Sequence, residues 1–171
     1  LGEGENLPML KQASTLLLTT RRIPQLYYGT EIMMNGIKSK SDGYVRKDFP
    51  GGWADDKETA LTAEGRSKIQ NDCYNFYKTI LNWRKGNDVI AKGSMVQFMV
   101  QNGVYAYARQ YEGKTIFVML NGTDAETTVP LKFYKEILKD SKQGKDILSG
   151  KAITFGEELK MGPRESLVIE L

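Results

Sequence analysis

Histidine is absent from this chain of 171 residues, and cysteine occurs once. Without an imidazole there is no Ser-His-Asp or Cys-His catalysis within the chain, and none of the usual zinc sites. The single thiol, Cys73, excludes an internal disulfide and a cysteine metal cluster. It falls on the apolar side of a helical pattern and reads as a small buried hydrophobe rather than a reactive thiol. No apolar run approaches the ~18 residues of a membrane span. Basic blocks are missing too. The longest is Arg21-Arg22, the 24 basic and 21 acidic residues are interspersed, and the net charge is only +3, which argues against nucleic acid as the main partner. No segment has recognisable calcium-loop spacing, so no cofactor or metal site is expected here, with calcium in a larger parent left open. The chain begins at Leu1 without a signal-peptide pattern and reads as a mature form or as a piece of something longer.

What is present points to two unlike halves. Apolar residues make up 40% of the chain, enough for a packed core. In the first half, Asn6-Leu7-Pro8 is a helix start, with Leu10, Ala13, Leu16 or Leu17 and Thr20 following at helical spacing and Arg21-Arg22 at the negative end of the dipole. "IPQLYYG" is short and apolar on both faces, as a parallel strand buried on both sides would be. About 30 residues of weak periodicity follow, punctuated by Gly36, Gly43, Pro50, Gly51 and Gly52; a loop of that length in a compact domain is more often functional than not. A long helix is then expected from a Thr62 cap, with Ile69, Cys73, Phe76, Tyr77, Ile80, Leu81 and Arg84 in its stripe and Gly86 at its end.

Beyond Gly86 the period changes to two. "SMVQFMV", "VYAYARQY", "TIFVMLN", "ETTVPL", "KDILSG", "AITF", "EELKM" and "SLVIEL" read as short strands separated by Asn-Gly and Glu-Gly signals, which suggests an antiparallel sandwich. The boundary falls near Asn87. Tyr105 and Tyr107 alternate with Val104, Ala106 and Ala108, either as a polysaccharide-binding patch or, the favoured reading, as a face that shields a neighbouring helix.

Helix, strand and helix, with a loop at the carboxyl end of the strand, make one repeat of a (β/α) barrel. Here the sequence resembles a known family. "RRIPQLYYGTEIMMNG" is similar to the eighth strand and following loop of the α-amylase family of glycoside hydrolases. "DGYVRKDFPGGW" is similar to its subsite loop, above all in neopullulanases and cyclomaltodextrinases, and "GPRESLVIEL" to the last strand of its C-terminal sandwich. The resemblance implies a fold of α/β plus all-β: residues 1–88 as the last strand-helix repeat of a (β/α)8 barrel, and residues 89–171 as an antiparallel β-sandwich C-terminal domain. It implies retaining cleavage of α-1,4- and some α-1,6-glucosidic bonds by two carboxyl groups about 5 to 5.5 Å apart. The family's catalytic carboxylates precede the eighth strand, and its Asn-His-Asp motif has no counterpart here, so no catalytic residue is expected in this chain. Glu31, Asp42, Asp48, Asp55 and Asp56 are carboxylates without a rigid support and do not replace the missing pair.

The resemblance also implies that Asp42 and Arg46, four residues apart, reach glucose units on the non-reducing side of the cleaved bond. Asp accepts hydrogen bonds from sugar hydroxyls, and Arg donates a planar fork of them. Trp53 would stack on a pyranose face. A solvated ion pair is the other reading of Asp42 and Arg46, and a plug against the barrel rim the other reading of Trp53. The implied partners are an α-glucan and the missing N-terminal part of the same enzyme. Self-association follows if apolar barrel surfaces are left uncovered. Family members of this kind are often periplasmic or secreted. A non-catalytic carbohydrate-binding sandwich module is the main alternative, and a plain structural β domain the third.

Overall fold

The computed structural model describes residues 6–21, 23–37 and 39–171. The first helix, α1, runs Leu7–Thr19. It starts where the sequence signals it: Asn6 Oδ1 accepts from the Met9 amide at 3.0 Å, with proline in the first turn. Of the basic pair beyond its end, Arg21 is exposed and Arg22 lies outside the described residues, as do residues 1–5. Helix α2 spans Lys68–Arg84 and a short α3 spans Asp88–Lys92. Gly86, between them, takes the left-handed conformation of a helix terminator.

Among the described residues the remaining chain forms β1 (Ser94–Gln97), β2 (Val104–Tyr111), β3 (Lys114–Asn121), β4 (Thr127–Pro130), α4 (Lys135–Leu138), β5 (Gln143–Asp146), β6 (Ala152–Thr154), β7 (Glu158–Met161) and β8 (Ser166–Glu170). Six strands make one sheet in the order β1-β2-β3-β8-β5-β6, and β4 and β7 pair as a second sheet; every pairing is antiparallel. The expected antiparallel β half is therefore present, as a six-on-two sandwich.

The large sheet is covered on both faces, which explains the almost unbroken apolar run of β3. On its inner face Val104, Ala106, Ala108, Phe117, Met119, Leu167 and Ile169 meet Val129 and Met161 of the small sheet. Phe98, Phe117 and Tyr134 pack there with ring centroids 5.0–6.4 Å apart. On its outer face Tyr107, Ile116, Val118, Leu120 and Val168 meet Val89 and Ile90 of α3, with Trp83 of α2 alongside. Leu7 and Leu18 of α1 pack on Cys73, Phe76, Tyr77 and Ile80 of α2, and this layer continues through Trp83, Ile147 and Leu148 into the outer-face core. Tyr107 is thus a shielded residue and not part of an exposed patch.

Arg109 fastens the layers. It is fully enclosed, and its guanidinium donates to Thr19 O at 2.9 Å, Ile90 O at 2.9 Å and Gly93 O at 2.8 Å, while Nε donates to Ser94 O at 3.2 Å. Beside it Tyr107 and Thr19 share a hydroxyl-hydroxyl hydrogen bond, and Gln12 Nε2 donates to Asn121 O at 2.7 Å. Strand β2 therefore holds the ends of α1 and α3 through side chains on a single face.

Three expectations are corrected. Residues 23–28 are not a strand: Ile23 is 97% exposed and Tyr27 54%. A parallel strand needs flanking strands for its backbone groups, and none runs alongside this segment among the described residues. Helix α2 begins at Ser67 and not Thr62. Ser67 and Gln70 form a reciprocal capping box, whereas Thr62 closes a turn with Gly65 and Arg66 donates to the Ala60 carbonyl at 2.9 Å. The expected strand "KDILSG" is displaced: the ladder lies at β5, and residues 147–149 turn over the buried Asp146 carboxylate, which accepts from Leu148, Ser149 and Val168 amides. Residues 131–138, between β4 and β5, form a 3-10 turn and α4, whose Leu131, Tyr134, Ile137 and Leu138 close the inner core.

Replacing Arg109 by Met removes all four donors and leaves their carbonyls enclosed. At about 1–3 kcal/mol for each unsatisfied buried group, partly relaxed, the loss in urea unfolding is expected to be at least ~3 kcal/mol. The exposed Lys142→Met change is expected to stay within about 0.5 kcal/mol.

Candidate substrate-binding loop

Residues 29–66 leave the helical layer and return to it, and the way they are fastened differs from base to tip. At the base, Thr30–Ile32 form a 3-10 turn with Gly29 O accepting from the Ile32 and Met34 amides. Ile32 is buried, and the Cys73 thiol of α2 donates to Thr30 O at 3.5 Å. Burial pushes the Cys73 pKa up to about 11, so the thiol stays neutral and serves as packing.

Farther out the loop is held by its own backbone. Gly36 sits so close to Tyr44 and Val45 that an added Cβ would lie 2.3 Å from Tyr44 O; no larger residue fits without moving the 3-10 turn Asp42–Val45. Lys40 stands over the Tyr44 ring at 5.0 Å. The Tyr28 hydroxyl donates to Lys47 O at 2.8 Å, joining the segment before the loop to its far limb.

The expected binding residues are all displayed. Asp42 and Arg46 face each other across one turn at 3.6 Å, with side chains 65% and 63% exposed. At that exposure the pair is worth at most about 1 kcal/mol, so little opposes its exchange for contacts with a ligand. Trp53 is 64% exposed and unburied by the core. Asp56, weighed from sequence only as a spare carboxylate, organises the tip: its Oδ2 accepts from the Gly51 amide at 2.7 Å and the Trp53 amide at 3.2 Å. Gly51 has φ +88°, a conformation that favours glycine. These bonds run back from Asp56 to amides five and three residues earlier, so no forward Asx-turn pattern in the sequence announces them. No His/Cys/Asp/Glu cluster able to hold a metal occurs among the described residues.

The six-on-two antiparallel sandwich with a docked helical layer is a fold shared with solved structures. The α-amylase of Geobacillus thermoleovorans, solved with acarbose, superposes at a TM-score of 0.71 with 23% identity, over 96% of this chain and 33% of that one. The γ-CGTase of alkalophilic Bacillus clarkii does so at 0.70 with 21% identity, over 99% and 24%. Among curated proteins, an α-amylase of Niallia circulans is 30% identical over 161 residues, 90% of this chain and 26% of its own length. A cyclomaltodextrinase of Thermoanaerobacter pseudethanolicus is 27% identical over 163 residues, 94% and 24%. Residues 95–170 match the cyclo-malto-dextrinase C-terminal domain family. Residues 95–170 thus belong to that C-terminal domain family, and the chain as a whole is similar to enzymes of the α-amylase family of glycoside hydrolases, spanning about a quarter of the length of these curated relatives.

Two outcomes follow from this geometry. Cys73 is expected to resist a thiol reagent at about pH 8 in the folded protein and to react at once in denaturant. Its raised pKa also means that the stability it carries is complete below the unfolded value of about 8.5 and is lost as pH climbs towards about 11. Asp56→Ala is expected to speed proteolysis between residues 47 and 60 while moving the unfolding midpoint by less than about 0.5 kcal/mol.

Proposed function

We propose that this chain is the C-terminal part of an enzyme that hydrolyses α-glucans. Residues 1–88 close its (β/α)8 barrel, and residues 89–171 are the sandwich that follows. The observation that carries the reading is the uncovered apolar segment before the loop. Ile23, Leu26, Tyr27 and Tyr28 are exposed, beside a groove of about 290 Å³ bounded by Leu26, Tyr74, Tyr77 and Leu81. A segment of this composition is stable as a strand only between two others, and a preceding barrel supplies both. The family match supports the same reading.

In the whole enzyme the catalytic carboxylates lie in the preceding part, and the chain's own contribution is the loop. Asp42 accepts from sugar hydroxyls, Arg46 donates to them, and Trp53 offers an apolar face to a pyranose ring. The reaction is retaining hydrolysis of α-1,4 bonds, with α-1,6 bonds as a second target of the neopullulanase type. It needs no cofactor from this chain, and the parent acts in the periplasm or outside the cell. Alone, the chain associates with itself through the uncovered segment.

Three measurements test this. The isolated chain is expected to release no reducing ends from maltoheptaose; release would overturn the assignment of catalysis to the preceding part. Maltoheptaose is expected to shift amide resonances of residues 42–53, and Asp42→Ala or Arg46→Ala to weaken that binding roughly tenfold; an unperturbed loop would remove it from the site. Sedimentation is expected to show concentration-dependent association that Tyr27→Ser with Leu26→Ser suppresses, whereas a strict monomer would count against the uncovered face.

A further inference from the structure

A second cleft lies where the end of α2 and the start of α3 meet the β2-β3 hairpin. Its volume is about 610 Å³, and Trp83 and Tyr111 line it. Both rings are only partly buried. Trp83 is held in orientation: its indole Nε1 donates to Glu170 Oε1 at 2.7 Å, which fixes the ring and leaves the second carboxylate oxygen for other donors. Tyr111 packs in part against the outer-face core, and Lys92 approaches its ring at 5.7 Å, so a ligand meets the part of the ring that lines the cleft.

The charges around these rings are close to balanced. Lys85 and Lys114 face Asp88, Glu112 and Glu170, and Asp88 is already paired with Lys92 at 3.1 Å. A site of this kind holds neither an anion nor a cation strongly. It offers two amphipathic rings rimmed by donors and acceptors of both kinds, and that combination suits a neutral ligand rich in hydroxyls: apolar ring faces contact C–H surfaces while ammonium and carboxylate groups bond the hydroxyls.

We propose that the Trp83–Tyr111 cleft is a second saccharide-binding site, separate from the Asp42–Arg46 loop and non-catalytic. The neutral-polyol chemistry comes from the cleft itself; the choice of an α-glucan as the saccharide rests on the function proposed above. Such a site would keep the chain on a polymeric substrate while the loop engages one end of it, raising the local concentration through a linked second contact.

The sequence makes the test selective, because the chain has only two tryptophans, Trp53 and Trp83. Trp53→Phe leaves Trp83 as the sole tryptophan reporter while keeping an aromatic ring in the loop. Titrating this variant of the full chain with maltoheptaose is expected to give a saturable change in Trp83 fluorescence. Adding Tyr111→Ala is expected to weaken that response roughly tenfold, with the thermal unfolding midpoint checked to show that the fold survives. Asp42→Ala in the same background is expected to leave it unchanged, so that failure of the loop reading and failure of the cleft are separated. Cellohexaose tests the saccharide class: a response to it but not to maltoheptaose retains the cleft and overturns the α-glucan assignment. No saturable response to either sugar, or a response indifferent to Tyr111→Ala while the protein stays folded, overturns the site.

Discussion

The guanidinium of Arg109 is the constraint on which the arrangement of helices and sheet depends. A charge enclosed among Tyr107, α1 and α3 is costly to desolvate, and burial, with Arg21 and Arg84 nearby, lowers its pKa from the usual guanidinium value. What offsets that cost is the nature of its partners. Thr19 ends α1, and Ile90 and Gly93 end α3, so the cation sits at the negative poles of two helices and satisfies carbonyls that have no partner within the helix. Arg84 of α2 reaches the adjacent Leu18 carbonyl, so cations from a strand and from a second helix converge on the end of α1. The chain therefore departs for the loop from a fixed point on the sheet.

From that point the structure grows progressively less constrained. The base of the loop is locked by Ile32 in the helical layer and by the neutral Cys73 thiol. The middle is held by backbone and ring contacts around Gly36 and Tyr44. The tip is held by the Asp56 carboxylate at the Gly51 and Trp53 amides and by turn bonds such as Ala60 N–H to Pro50 O. Asp42, Arg46 and Trp53 thus share one property: their backbones are placed, while their side chains remain free of the core. A rigid base with displayed polar and aromatic groups is the physical pattern of a ligand-contacting loop.

What the sequence made legible follows from the range of the forces involved. The Asn6 cap, the Gly86 stop and seven of the eight strand positions are set by nearest neighbours and by period, and they stand close to where pattern alone puts them. Residues 23–28 show the reverse. Their apolar pattern describes a strand, but strand formation depends on partners that pattern cannot supply. The start of α2 turned on a contest between two caps that differ by one reciprocal hydrogen bond, Gln70 to Ser67. Arg109 was read as one more residue in an alternating strand, since nothing local reveals that two helix ends will arrive beside it. For the same reason Asp42, Arg46 and Trp53 were singled out only through resemblance to a family, whereas the organising part of Asp56 and the cleft around Trp83 required coordinates.

Native-state hydrogen exchange tests the Arg109 fastening most directly. If it joins helix and sheet, amides of α1 and of β2 exchange through the same opening, with matching free energies in the unmodified chain, and Arg109→Met releases α1 while β2 and β3 keep protection from their own ladder and inner core. Exchange from α1 that is much faster than from β2 in the unmodified chain, and unchanged by the substitution, would contradict it.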